Sequence, residues 1–237
     1  MLLAAALSFS CGSAKTRPCV VAIDVGHSEL VPGAVSARGV PEYQFNRNIA
    51  QRLAEKLQAS GMPGAFVIEA PGENVALAER TNIARVRAAG FLISIHHDSV
   101  QPSYLNSWQY DGVERRYSDQ FSGFSLFVAR RHPNYARNLA LARAIGSQLL
   151  SEGFHPTLHH AEKIKGESRE LIDRERGIYA FDDLIILRTA TMPAVLLECG
   201  VIVNRDEETR LQDRAYQSRL VAAVAAAINQ QCAAGRR

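Results

Sequence analysis

Three short apolar runs in this 237-residue chain each end on a side chain able to bind a metal or carry a proton. They are Val20-Val21-Ala22-Ile23-Asp24-Val25-Gly26-His27, Phe91-Leu92-Ile93-Ser94-Ile95-His96-His97-Asp98 and Pro193-Ala194-Val195-Leu196-Leu197-Glu198. Each is rich in Val, Ile and Leu and closed by polar residues or glycine, the pattern of a buried strand. In an open α/β sheet, ligands bind beyond the carboxyl ends of the strands. Strands ending in His27, His96 and Glu198 would aim those groups into one crevice, an arrangement suited to a metallohydrolase.

Strand and helix signals alternate from residue 20 to residue 231. A loop rich in Gly, Pro and Ser at residues 26–41 leads into a helix whose apolar positions Phe45, Ile49, Leu53 and Leu57 recur every four residues, with Gly61 at its end. A strand follows at residues 65–69, then a helix carrying Leu77, Ile83 and Val86 that Asn74 could cap. Residues 123–129 alternate as a strand, residues 135–153 read as a helix, residues 184–187 as a short strand and residues 213–231 as an Ala-rich closing helix. Two stretches, 99–122 and 154–183, show no clear period and read as irregular inserts, the first as a long loop at the strand ends. Alternating β and α elements predict a single α/β domain with a twisted, mostly parallel or mixed sheet flanked by helices on both faces. The domain spans residues 19–232, after a signal-like or disordered segment at 1–18 and before a short tail at 233–237.

A formal net charge of +3 is too small to argue for a nucleic-acid partner, and no stretch is apolar for long enough to cross a bilayer. Residues 1–10 are apolar or small and lead to Cys11, so export to the periplasm or cell envelope is expected, with lipid anchoring through Cys11 as one form of it. Cys19 precedes the first strand and Cys232 follows the last helix. Domain termini often lie close together, so a Cys19–Cys232 disulfide and two free thiols are both open. Cys199 reads as a small buried residue rather than a nucleophile.

Catalytic zinc typically takes three protein ligands and keeps one position for water. His27 and His96 are candidates for two of them. Glu42 is the third, at the start of the helix after the first loop, where capping is its alternative role. Neighbouring residues on a strand point to opposite faces, so His96 and His97 do not both bind one ion. His97 then reads as a supporting residue or, failing that, a substrate contact. Glu198 is the candidate general base, with ligand or cap as its other roles. Arg80, Arg169, Arg174 and Arg176 are candidates for gripping a substrate carboxylate. His155, His159 and His160 cluster in the second insert; an adventitious or regulatory metal site is one use for them, and plain loop residues the simpler one. No Gly-x-Ser-x-Gly context supports serine hydrolase chemistry.

Taken together, Asp24-Val25-Gly26-His27, Glu42, Ser94-Ile95-His96-His97-Asp98 and Pro193-Ala194-Val195-Leu196-Leu197-Glu198-Cys199-Gly200-Val201 with Asn204 resemble the zinc-dependent N-acetylmuramoyl-L-alanine amidases of bacterial cell-wall remodelling. Arg80 stands where that family usually has an arginine ahead of the second histidine strand, and the resemblance covers residues 20–230. It implies a six-stranded sheet, one zinc ion held by His27, Glu42 and His96, and Glu198 as catalytic acid and base. The implied reaction cleaves the amide between N-acetylmuramic acid and L-alanine in peptidoglycan. Val25 replaces the usual proline, and His97-Asp98 a more usual Ala-Asn. In some relatives an inserted helix near the second insert blocks the site until an activator protein displaces it, so residues 154–183 are a candidate gate. The other readings are a zinc peptidase or deacylase on a similar scaffold, and a non-catalytic wall-binding regulator.

Overall fold

The computed structural model describes residues 19–69 and 76–234. The signal-like start with Cys11, the helix cap assigned to Asn74 and the last residues of the tail lie outside the described residues.

The three apolar runs are neighbouring parallel strands at the middle of a sheet. β1 (Val21–Val25), β2 (Phe66–Ile68), β3 (Phe91–Asp98) and β9 (Ala194–Val201) lie in the order β2-β1-β3-β9. The sheet continues through β6 (Ser125–Val128), β8 (Ile178–Ala180) and β7 (Leu171–Asp173). β6 runs antiparallel to β9 and β7 antiparallel to β8, so the sheet is mixed. It has seven strands, not six. The extra pairing comes from the second insert, where β7 and β8 are three residues each and too short to show a period.

Alternation along the central strands divides the core in two. Val21, Ile23 and Val25 of β1, Ile93 and Ile95 of β3, and Val195 and Leu197 of β9 pack against α1 (Glu42–Ala59), α3 (Tyr135–Ser151) and α6 (Arg214–Ala234). Ala22, Leu92, Ala194 and Leu196 face α2 (Leu77–Val86) and α4 (Ile185–Thr189). Period two in the strands and 3.6 in the helices thus build one layer on each face. The bond between Cys19 and Cys232 ties the lead-in to β1 to the end of α6. Cys199 is buried and free.

Three expectations change. Residues 99–122 hold a hairpin, β4 (Asn106–Tyr110) paired with β5 (Val113–Tyr117). Its turn is Asp111-Gly112, both at positive φ, the two-residue hairpin signal that the surrounding polar and aromatic residues obscure. Residues 184–187 open the helix α4 rather than form a strand, since a four-residue apolar run has no readable period. A further helix, α5 (Arg205–Gln212), precedes the closing one; Asn204 caps it by accepting from the backbone N–H groups of Asp206 and Glu207. The second insert contains a short 3-10 turn and two strands, and no α-helix.

Candidate metal centre and active site

His27 lies just past β1, with φ at 68°, in the left-handed region that residues other than glycine rarely adopt. That conformation turns the ring across the end of the sheet, where Nε2 sits 3.0 Å from Oε2 of Glu42. On the other side of the same carboxylate, Nδ1 of His96 is 3.0 Å from Oε1. One ligand atom from each of the three residues lies within 4.8 Å of the others. Two imidazoles and one carboxylate with room for a fourth group make a donor set that suits zinc.

Close packing maintains this geometry. A Cβ on Gly26 would fall 2.4 Å from Nε2 of His96, and one on Gly33, at φ 78°, would fall 2.4 Å from Oε2 of Glu42. Glu42 is the first residue of α1 and is buried; it accepts hydrogen bonds from Ala34 N at 3.1 Å and Asn46 Nδ2 at 3.0 Å. Burial opposes its charge, but the two histidines beside it hold its pKa well below the usual carboxylate range. Asn46, one helical turn after Glu42, was not singled out from the sequence, although i,i+4 spacing places the two on one face.

Strand parity separates His96 from His97. His97 is buried on the opposite face, against Phe45, with Nδ1 2.8 Å from Oδ1 of Asn46. Burial pushes its pKa down to about 3. In the unfolded chain the imidazole takes a proton below about pH 6.5, while in the folded chain it stays neutral until about pH 3, so acid favours unfolding throughout that window. Stability is therefore expected to fall by about 3 kcal/mol between pH 6.5 and pH 4 on account of this group. Denaturant titrations at the two pH values should show a shallower loss in His97→Asn; an equal loss would remove His97 as the source.

Glu198 is paired in register with His96 across β3 and β9, so the two side chains emerge side by side on the α2 and α4 face. Its Oε2 is buried without a hydrogen-bond partner. Burial first, then the nearby Asp98 and Glu42 carboxylates, raise its pKa well above the ordinary range. His27 and His96 stand between two depressions. One, of about 370 Å³, has an apolar rim that includes Val31, Leu77 and Ile185. The other, of about 420 Å³, contains Glu198, Asp98, His160 and Arg169.

The arginines divide by position. Arg80 is buried beneath the end of β1, where its guanidinium donates to Oδ1 of Asp24, the carbonyl of Val25 and the carbonyl of His27. Arg169 lines the second depression, stacked at 3.7 Å on the ring of Phe181. Arg176 is held by Ser147 and Asp173 beside α3 and α6, away from both depressions. Arg174 is exposed and lines neither. The sequence offers nothing to rank Arg169, Arg174 and Arg176, because the fold alone decides which part of an irregular stretch reaches the cleft. Asp98 also sits in the cleft, with His159 and His160 brought to it from the second insert.

Known proteins share this frame. The chain is 27% identical to "Probable N-acetylmuramoyl-L-alanine amidase AmiB" of Haemophilus influenzae, over 86% of this chain and 50% of that protein, so it spans about half the length of that relative. In structure it resembles the N-acetylmuramoyl-L-alanine amidase AmiC2 of Nostoc punctiforme, with a TM-score of 0.64 and 23% identity over 90% of this chain and 96% of that one. It also resembles the CwlD amidase of Clostridioides difficile in complex with the GerS lipoprotein, with a TM-score of 0.61 and 19% identity over 91% and 99% of the two chains. The pattern of one family, described as N-acetylmuramoyl-L-alanine amidase, matches residues 21–230, from the first strand to the closing helix. The chain belongs to the N-acetylmuramoyl-L-alanine amidase family.

Proposed function

We propose that this chain is a zinc-dependent hydrolase cleaving the amide between the lactyl group of N-acetylmuramic acid and L-alanine of the stem peptide in peptidoglycan. Its main support is the convergence of His27, Glu42 and His96 at the strand ends with Glu198 in register beside His96, in a chain of that family. A zinc ion held by those three residues would acidify water towards a pKa of roughly 7 and polarise a carbonyl. Glu198 accepts the proton of the attacking water and returns it to the departing nitrogen of L-alanine, so the group ends the cycle as it began.

Other residues position these groups. Arg80 fixes the turn that carries His27 through its bonds to the carbonyls of Val25 and His27. Asn46 joins Glu42 to His97. Arg169 is the arginine best placed to meet a stem-peptide carboxylate. Depressions on both sides of the histidines accommodate a substrate that continues in two directions, as glycan and as peptide.

The Cys19–Cys232 bond favours an oxidising compartment, in keeping with export to the cell envelope. No helix among the described residues is long and apolar enough to cross a membrane. The CwlD amidase is in complex with the GerS lipoprotein, and by analogy this chain takes an activator protein. The reaction is tested by digesting purified peptidoglycan with the zinc-loaded protein and weighing the products. Intact stem peptides with a free L-alanine amino terminus are expected. Cuts inside the stem peptide would replace this reading with a peptidase.

A further inference from the structure

The cleft contains a second set of metal donors that the reaction above does not use. Asp98 follows His96 by two residues on β3. It turns Oδ2 towards Nε2 of His160 at 2.7 Å and Nε2 of His159 at 3.4 Å. The three donor atoms lie within 4.8 Å of one another.

Each group is already held from behind. Oδ1 of Asp98 accepts from Ser99 N at 2.8 Å. Nδ1 of His160 lies 2.9 Å from Oε2 of Glu167, whose Oε1 accepts from Nε2 of Gln101 at 2.7 Å. Nδ1 of His159 lies 2.7 Å from the hydroxyl of Thr157. A carboxylate or hydroxyl behind an imidazole fixes its tautomer and leaves the far nitrogen for a metal, the arrangement found around histidine ligands. Phe121 and Phe127 pack at 5.0 Å against the rings of His159 and His160 and hold their planes. His159 is 2% exposed, and its Nε2 is buried, facing Asp98 without a hydrogen bond. A buried nitrogen without a partner is costly, and here it is aimed into the cluster.

We propose that Asp98, His159 and His160 form a second site for a divalent cation of the zinc class, separate from the one at His27, Glu42 and His96. Two imidazole nitrogens and one carboxylate oxygen are the donors such an ion selects. Asp98 and His160 line the same depression of about 420 Å³ as Glu198, with His159 buried behind them, so the remaining coordination positions open to water or to an anionic group of a bound substrate.

The test is the zinc content of untagged full-length protein, equilibrated with excess zinc chloride, gel-filtered and measured by plasma mass spectrometry. His159→Asn and His160→Asn keep a side-chain nitrogen near the Nδ1 position and remove Nε2. Wild type is expected to carry two equivalents and each of these variants one, with His27→Asn also losing one and the losses additive. Zinc content unchanged by both His159→Asn and His160→Asn overturns the site. Should those variants fail to fold, crystals of wild type soaked in zinc chloride decide. Anomalous density between Asp98, His159 and His160 supports the site, and its absence there refutes it.

Discussion

Glu198→Ala is expected to bind zinc at wild-type stoichiometry at His27, Glu42 and His96 and to hydrolyse muramoyl-peptide amide about 10²- to 10⁴-fold more slowly. That range corresponds to roughly 3–5.5 kcal/mol of transition-state stabilisation. Glu198 is in register with His96 but outside the set His27, Glu42 and His96, so the change removes the proton carrier and leaves the proposed ligands intact. The alanine removes a buried, unpartnered oxygen, so no cooperative network is lost and the fold should persist. Turnover assayed with matched zinc content is the measurement. A variant that retains its rate would show that another group carries the proton, and one that loses its zinc would make Glu198 a ligand.

His96→Ala is expected to lose the zinc held with His27 and Glu42, and activity with it, whereas His97→Ala keeps most of that zinc. His96 offers Nδ1 beside Oε1 of Glu42, while His97, one residue on, points into the core against Phe45 and Asn46. Loss of a residue that supports a ligand costs about 10- to 100-fold in metal affinity, and loss of a ligand should exceed that range. Competition with a chelator of known affinity gives the comparison directly. Equal zinc affinity in the two variants would break the assignment of His96. The His97 variant should show its defect as lowered stability, since truncation leaves a cavity between β3 and α1 and takes the partner of Asn46 Oδ1 away.

How far the chain could be read in advance followed from how local each signal is. β1, β3 and β9 were legible because a buried central strand needs apolar residues on both faces, and short runs rich in Val, Ile and Leu closed by polar residues or glycine fit that need. α1 was legible because Phe45, Ile49, Leu53 and Leu57 repeat at the helical period and all four are buried. The positions of His27 just past β1 and of His96 near the end of β3 followed from the same runs, whereas the last strand, expected to end at Glu198, continues to Val201. The separation of His96 from His97 also followed, since it needs only the alternation of a strand.

Elements whose stability comes from partners distant in sequence were not legible. β7 and β8 are three residues each, and only pairing alongside β6 makes them strands. The residues at 184–187 became helical because that packs Ile186 and Leu187 against the sheet. Arg80 and Arg176 belong to the same residue type, yet one is buried under His27 and the other rests on α3. Asp98 and His160 lie 62 residues apart and touch. Periodicity over a few residues specifies which face of an element is apolar, and the strand ends follow from that. Which side chains meet across the cleft depends on chain reversals that bring remote segments together, and those are set by packing of the whole domain rather than by any short window of residues.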